Sequence, residues 1–354
     1  MKRGKEMFGK KSEVIGIDIQ KNVIRYCMYK KGYWLYGEKL GKGSFFKENG
    51  LKNKEELSDL LDEIFSEVKV KNPQLVIATL NSKLLIRQIP LQDMTSEEEI
   101  REFLFFELGQ SISLPFEDPI FDLLVLERPK VAKSKRVKKR KLGLSKADGL
   151  RDDVKVKTMK RNRFAVNGKV PIIITSEPLL IELGDTFQKV GGNLVGVDFS
   201  ALAYTQIFKK RINWGQTFVL VEIDSGEATI TIFEKMAPVY VQNEAYNRGN
   251  WRYREEKGQV IPEYRSEGIA LKKLGETLKN LIAYFENDIS VGSTVERIYL
   301  VGGHPRLKTD VLEIMEMTNV IPTSVLEEPS VAEDLNIVPY RFLLAASLAL
   351  KEVH

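Results

Sequence analysis

The sequence has one cysteine, two histidines and no long apolar run, and each shortage excludes a class of protein. Among its 354 residues Cys27 is the only cysteine. This excludes intramolecular disulfides and thiolate metal clusters and suits a reducing cytoplasm. His304 and His354 are too few for a His-rich metal site. No apolar stretch approaches the roughly 20 residues that a membrane span needs. The basic start MKRGKEMFGKKS is followed by EVIGIDIQ, which carries an Asp and has no small-residue cleavage site, so no signal peptide is expected.

Positive charge is concentrated in one segment. Residues 130–163 contain fifteen Lys/Arg and three Asp, so removing this local +12 from the total of +5 leaves −7 on the rest. Near an anionic leaflet each basic residue contributes about 1 kcal/mol of attraction. Nucleic acid is a less favoured partner, because the tract 129–168 holds one aromatic residue, Phe164, for stacking on bases. A solvated loop is the simplest interpretation of the segment.

The order of predicted elements occurs twice along the chain. EVIGIDI, NVIRYCMYK and YWLYGEKL are β-rich runs, followed by an amphipathic helix in NKEELSDLLDEIFSEVKV and the apolar strand PQLVIATL. QTFVLVEIDS, ATITIFEK and APVYVQNE, a long helix at GIALKKLGETLKNLIAYFEND and the strand VERIYLVGG repeat this order. Asp18 and Asp224 end the first strand of each half. A duplicated α/β unit is therefore predicted, with two domains facing each other across a cleft.

Domain limits follow from the segments that interrupt this plan. Residues 82–128 predict a small α+β subdomain around a helix capped by Thr95 and Glu98, and the basic tract 129–168 is a loop within it. We expect a basic tail at 1–12, an inserted subdomain at 82–168 and a second domain at 211–332. The first domain then comprises 13–81, 169–210 and 333–354.

The first turns of the two halves indicate a phosphate site. Backbone N–H groups in such turns can cradle phosphates, and two carboxylates, Asp18 and Asp224, are a plausible complement to a hydrated Mg²⁺. Gly302 and Gly303 end a later strand, where a glycine pair lets the backbone approach a flat nucleoside closely.

These motifs resemble the actin-like ATPase superfamily. VIGIDIQ, VEIDSGEATITIF and IYLVGGHPRLKTDVLEI look like its phosphate 1, phosphate 2 and adenosine motifs. IPLQDMTSEEEIREFLFFELGQSISLPFEDPIFDLLVLE resembles the inserted 1C subdomain of the PilM family, FtsA-like cytoplasmic proteins of type IV pilus assembly. The similarity covers most of residues 8–353, apart from the basic tract and 244–266.

The resemblance implies a ribonuclease H-like duplicated βββαβα fold with a nucleotide cleft and a 1C-like insertion. It implies ATP and Mg²⁺ as ligands and a location in the cytoplasm at the inner face of the cell membrane. The partners would be pilus motor components and a PilN-like inner-membrane protein, whose cytoplasmic N-terminal peptide would dock between the first domain and the insertion. Carried over by position, the implied nucleotide-binding residues are Asp18, Gln20, Lys21, Asn22, Asp224, Gly226, Thr229, Gly302 and Gly303.

The first phosphate loop departs from the family pattern. The family runs Asp-x-Gly with small hydroxyl residues and then a Lys, whereas this chain has Gln20, Lys21 and Asn22, with Arg25 in place of the Lys. A Cβ at Gln20 obstructs the approach of backbone to phosphate. Since no residue stands out as a hydrolytic base, the chain is expected to be at most a weak ATPase.

Three functions stay open from the sequence. A PilM-like adaptor is favoured by the inserted segment, with Phe105, Phe106, Leu114 and Phe116 as candidate peptide-binding residues, or else as ordinary core. An actin-like ATPase or small-molecule kinase needs intact phosphate loops and a catalytic Asp. The third is an FtsA-like or type II secretion platform protein.

Overall fold

The computed structural model describes residues 13–47, 50–91, 94, 96–108, 112, 114, 116, 118–124, 168–224, 226–246, 251–327 and 338–351. The first half opens with three antiparallel strands and continues through a helix to a parallel strand. Its elements are β1 (Val14–Ile19), β2 (Val23–Lys30), β3 (Tyr33–Leu40), the short pair β4 (Phe46–Lys47) and β5 (Gly50–Leu51), α1 (Lys54–Val68) and β6 (Gln74–Ala78). Asn53 caps α1 by accepting from the Glu56 N–H, and Lys69 ends it in the left-handed conformation.

A small subdomain interrupts the first half. It consists of β7 (Leu84–Pro90), α2 (Glu97–Glu107), β8 (Pro119–Leu123) and β9 (Lys169–Ser176), with the three strands antiparallel in the order β7-β9-β8. Because β9 is the central strand, the subdomain extends to Ser176 and not to the predicted 168. The helix is capped by Ser96, whose hydroxyl accepts from the Glu99 N–H, so the capping box lies one residue later than predicted. Thr95 lies outside the described residues.

The chain then completes the first sheet and builds the second. The first half adds α3 (Glu177–Lys189), β10 (Asn193–Asp198) and α4 (Ser200–Ile207). The second half comprises β11 (Thr217–Ile223), β12 (Glu227–Glu234), β13 (Ala237–Ala245), β14 (Trp251–Glu256), β15 (Gln259–Tyr264), α5 (Gly268–Tyr284), β16 (Val295–Val301), α6 (Leu312–Thr318) and β17 (Thr323–Val325). The last helix is α7 (Leu343–Ala349). Single 3₁₀ or π turns occur at Asn81–Lys83, Phe285–Ile289, Leu307–Val311 and Tyr340–Phe342.

The two large sheets have the same topology. The strand orders are β3-β2-β1-β6-β10 and β13-β12-β11-β16-β17. In the first sheet β1 is antiparallel to β2 and parallel to β6, and in the second sheet β11 is antiparallel to β12 and parallel to β16. Each first strand is buried along its length apart from Thr217, because helices or the other half of the molecule cover both faces. This confirms the duplicated α/β fold predicted from the repeated element order.

The helix α7 packs against the first sheet. Its turn at Ala345–Ala349 lies so close to Gly16 of β1 that a Cβ there would fall 2.5 Å from the Ala349 nitrogen. Leu344, Ala345 and Leu348 of this helix are buried, so the C-terminal segment belongs to the core. Across the parts of the chain that the structure describes, no helix has both the length and the apolar character to cross a membrane.

Candidate functional site

The two first hairpins face each other across the cleft with matching hydrogen-bond registers. Ile19 pairs with Ile24, and Ile223 pairs with Ala228. Each pair closes a four-residue turn in which the first N–H donates to the fourth carbonyl, from Gln20 to Val23 and from Asp224 to Glu227. By register, therefore, the counterpart of Asp224 is Gln20, and the counterpart of Asp18 is Glu222. The sequence analysis treated Asp18 and Asp224 as counterparts instead, because each stands at the end of an apolar run.

Asp18 and Asp224 do meet in the structure, through Arg25. The side chain of Arg25, which stands opposite Asp18 on β2, is 1% exposed. Its Nη1 donates to Asp18 Oδ2 over 3.2 Å and to Asp224 Oδ2 over 2.7 Å, while its Nη2 donates to Asp224 Oδ1 over 3.3 Å. The guanidinium thus joins the two halves of the molecule instead of pointing toward a phosphate site.

The remaining donors to these carboxylates also come from the protein. Gln20 Nε2 donates to Asp18 Oδ1 over 2.7 Å, and the Gly303 N–H donates to Asp224 Oδ2 over 3.0 Å. All four carboxylate oxygens therefore accept hydrogen bonds from the chain. Burial raises the pKa of Asp18 to about 6, against the opposing effect of the Arg25 charge.

This arrangement does not fit the predicted Mg²⁺ site. Magnesium demands near-octahedral oxygen coordination at about 2.0–2.1 Å, whereas the space between Asp18 and Asp224 holds the Arg25 guanidinium. In the described part of the chain, no group of three or more His, Cys, Asp or Glu could hold a metal ion. The carboxylates expected to bind a cation bind a cationic side chain, which their charge suits equally well.

Tyr253 of β14 covers the other side of Arg25. Its hydroxyl accepts from Arg25 Nη2 over 2.5 Å and donates to the Gly303 carbonyl over 3.1 Å, and its ring centroid lies 5.2 Å from Arg25 Cζ. The Oε2 of Glu38 lies 3.7 Å from Arg25 Nε. Sequence reasoning missed the β14–β15 hairpin, although Lys257-Gly258 between two β-rich runs is a usable turn signal. We call Asp18, Arg25, Asp224 and Tyr253 the Arg25 cluster.

The glycine pair also differs from expectation. Gly302 and Gly303 are both buried. A Cβ on Gly302, whose φ is +111°, would fall 2.7 Å from the Ile223 nitrogen, and one on Gly303 would lie 2.7 Å from Arg25 Nη2. Glycine is thus needed so that the end of β16 can pack against β11 and the Arg25 cluster. The predicted nucleoside wall is covered by protein.

In the first turn one backbone N–H and two carbonyls form hydrogen bonds within the protein. The Gln20 N–H donates within the turn, the Lys21 carbonyl accepts from Phe45 over 2.8 Å, and the Asn22 carbonyl accepts from Gly41 over 2.8 Å. With its side chain on Asp18, Gln20 acts as a carboxylate partner at a place where the family pattern has glycine. In the second turn Gly226 has φ +94°, and Thr229 donates its hydroxyl to Asn243.

A cavity of about 450 Å³ remains between the halves beside the Arg25 cluster. Lys21, Lys47 and Lys83 line it, together with Glu222 and Glu227. Sequence reasoning missed Glu222, a carboxylate in the otherwise apolar run TFVLVEI, and that contrast is the signal that could have found it. Gly226 and Thr229, predicted as phosphate-loop residues, line the same cavity.

Glu222 is held as an acceptor inside this cavity. Ser200 Oγ donates to its Oε2 over 2.5 Å, and Asn81 Nδ2 donates to the same oxygen over 2.9 Å. Burial raises the pKa of Glu222 to about 7, and the charges of Asp18 and Asp224 act in the same direction. The cleft therefore contains a carboxyl group that titrates near neutral pH.

A larger groove, of about 760 Å³, lies between the inserted subdomain and the first half. Its walls come mainly from β8 and from α4 with the residues next to it, and we call it the β8 groove. The apolar lining residues are Leu84, Ile120, Phe121, Leu123, Leu124, Ile173, Leu180, Val197, Phe199, Leu202, Trp214, Met236 and Pro238. Its position is the one that the sequence resemblance implies for a peptide.

The four residues predicted to bind a peptide lie outside the β8 groove. Phe105 and Phe106 are 75% and 65% exposed on α2, where their rings meet edge to face at 5.8 Å. Leu114 and Phe116 are half-buried against the core of the inserted subdomain. None of the four lines the β8 groove. The sequence pattern located the subdomain but not the face that it turns toward the first half.

Comparison with known proteins places the fold. No protein-family model matches the chain, and no curated protein matches it in sequence. A chain of the PilM-PilN type IV pilus biogenesis complex superposes with a TM-score of 0.67 at 14% identity, over 96% of this chain and 98% of that one. The chain has the actin-like fold. This match confirms, for the fold, the resemblance to PilM predicted from the sequence.

Two further solved structures cover almost the whole chain at lower scores. MreB 5 of Spiroplasma citri bound to AMPPNP has a TM-score of 0.48 at 11% identity, over 96% of this chain and 95% of that one. The cytoplasmic domain of EpsL, an inner-membrane component of the type II secretion system of Vibrio cholerae, has a TM-score of 0.46 at 11% identity, with coverages of 96% and 95%. The assignment of the fold therefore rests on the match to the chain of the PilM-PilN complex.

Proposed function

We propose that this protein is a platform of type IV pilus assembly that binds the cytoplasmic N-terminal peptide of a PilN-like inner-membrane protein. The observation that carries the proposal is the β8 groove, an apolar channel between the inserted subdomain and the first half of an actin-like fold. The full-length likeness to a chain of the PilM-PilN complex supports it. The protein would act in the cytoplasm, at the inner face of the cell membrane.

The groove suits an extended peptide. Its volume of about 760 Å³ is in the range of ligand pockets. Within the described residues β8 is an edge strand that pairs with β9 alone, so its outer edge can accept a peptide as an added strand. The apolar lining supplies pockets for alternate side chains. Ion pairs of Arg101 with Asp122 and of Lys351 with Asp198 mark its rim.

A single glutamate in the groove should weaken peptide binding. Ile120 lies on β8, is 43% exposed and lines the groove. In Ile120→Glu a docked apolar side chain would have to desolvate a carboxylate, so we expect a loss of about tenfold to a hundredfold in affinity, or roughly 1.4–2.8 kcal/mol. The measurement is isothermal titration with a synthetic peptide copied from the N-terminus of the PilN-like protein encoded in the same genome.

The matched control is Ile269→Glu. Ile269 is 90% exposed on α5 of the second half and is not part of the groove, so this variant should bind the peptide like the wild type. Equal affinities for all three proteins would move the docking surface away from the β8 groove. The exposed pair Phe105 and Phe106 would then be the next surface to mutate.

The proposal includes three finer elements, two from the sequence resemblance and one from the charge of the basic segment. ATP would occupy the 450 Å³ cavity, where Lys21, Lys47 and Lys83 offer positive charge to phosphates. Pilus motor components would bind elsewhere on the platform. The basic segment 130–163, outside the described residues, would attract an anionic membrane surface. An ATPase or kinase is less favoured, because the groups expected to bind Mg²⁺ and a nucleoside are taken up by protein contacts.

A further inference from the structure

We infer that the Arg25 guanidinium takes the place of a divalent cation in this chain and holds the two halves of the actin-like fold together without Mg²⁺. The inference does not depend on peptide docking, because it concerns the interdomain cleft alone. It rests on the geometry around Arg25, on the donors that complete the shell of the two aspartates, and on the packing that encloses them.

The first support is the position of the charge. Arg25 Nη1 lies within 3.2 Å of a carboxylate oxygen of Asp18, in the first half of the molecule, and of one of Asp224, in the second half. A metal ion bridging the halves would use these same oxygens. Two aspartates and one guanidinium form a short-range charge cluster that needs no dissolved cation to offset the repulsion between the carboxylates.

The second support is that the shell is complete. Gln20 and the Gly303 N–H supply the other donors to Asp18 and Asp224. Binding a metal ion would require Arg25 to leave and the two donors to turn away. Gln20 is therefore part of the same adaptation as Arg25, since a glycine there would leave Asp18 Oδ1 without this amide donor.

The third support is enclosure. Tyr253 both stacks near the guanidinium and hydrogen-bonds to it. Val23, Leu40 and Val260 pack around Tyr253 in a small apolar cluster that joins the β14–β15 hairpin to the first half. The hairpin thus covers the Arg25 cluster from the second half, and Arg25 has no open path to solvent on that side.

The decisive measurement on the wild type is Mn²⁺ binding followed by electron paramagnetic resonance. Manganese chloride is titrated into the full chain, with and without ATP, and the free-ion signal reports what is bound. We expect the wild type and Asp18→Asn to give the same Mn²⁺ binding curve. A stoichiometric Mn²⁺ site in the wild type that is lost in Asp18→Asn would overturn the inference.

Arg25→Ala tests the exchange in the other direction. Removing the side chain leaves two facing carboxylates and a space for a hydrated ion, so 10 mM MgCl₂ should raise the melting temperature of this variant by about 2–4 °C. In the wild type and in the control Arg252→Ala, whose side chain is 73% exposed, MgCl₂ should change the melting temperature by less than about 1 °C, because neither protein offers the ion a site. A folded Arg25→Ala that ignores Mg²⁺ would contradict the inference. If Arg25→Ala does not fold, Arg25→Gln is used, and the wild-type Mn²⁺ titration decides independently.

Discussion

Replacing Arg25 with methionine should lower the free energy of unfolding by about 3–5 kcal/mol, the usual cost of breaking a buried ion pair by removing one partner. Asp18 and Asp224 are 3% and 5% exposed, so without Arg25 the two buried carboxyl groups would either repel each other as unpaired charges or take up a proton on folding, and both cost stability. Methionine keeps much of the length and the apolar stem of arginine. The loss therefore reports the charge and its hydrogen bonds more than the packing.

Urea denaturation at pH 7.5 in EDTA measures this effect. The control is Arg252→Met, which removes an arginine whose ion pair with Glu263 lies at the surface, and it should cost less than about 1 kcal/mol. A loss below about 1 kcal/mol in Arg25→Met would show that the Arg25 cluster does not hold the halves together. The fold would then depend on the apolar core and α7 alone.

Glu222→Gln should stabilise the protein at alkaline pH and have little effect at acid pH. The folded pKa of Glu222 is about 7, above its ordinary value of 4.5. Between these two values the folded state retains a proton that the unfolded state releases, so stability falls as the pH rises through 7. This difference between the two pKa values corresponds to a loss of about 3 kcal/mol in the free energy of unfolding at pH 8. Glutamine removes the ionisation, and its carbonyl can accept from Ser200 and Asn81.

The measurement is a series of urea midpoints between pH 5 and pH 8.5. We expect the gap between Glu222→Gln and the wild type to open as the pH rises, while Glu313→Gln, an exposed change on α6, stays within about 0.5 kcal/mol of the wild type throughout. Some pH dependence should remain in Glu222→Gln, because burial also raises the pKa of Asp18. A gap that is constant with pH would mean that Glu222 does not titrate in this range.

The repeated fold could be predicted from the sequence because its signals are local. Apolar runs with turns between them gave the strands of both halves, and the spacing of Leu57, Leu61 and Ile64 gave the buried face of α1. Asp18 and Asp224, predicted as Mg²⁺ ligands at the ends of the two first strands, lie in the structure on either side of Arg25.

The chemistry of the cleft could not be predicted in the same way. Pairing across β1 and β2 places Arg25 beside Asp18, but its second partner and Tyr253 come from distant parts of the chain. From the sequence alone, Arg25 therefore took the place of the lysine in the first phosphate loop. The β8 groove is a similar case, because which face of the inserted subdomain meets α4 depends on packing that no local period encodes.

The measurement that most directly tests a platform with an Arg25-held cleft is peptide affinity in two buffers. The PilN-like peptide is titrated into the full chain once in EDTA and once in 5 mM MgATP. Because Arg25 already joins Asp18 and Asp224 without a ligand, we predict that the two dissociation constants agree within about twofold, or roughly 0.4 kcal/mol. Binding that appears only with MgATP, or strengthens at least about tenfold with it, would contradict the account and identify the cleft as a nucleotide-dependent switch.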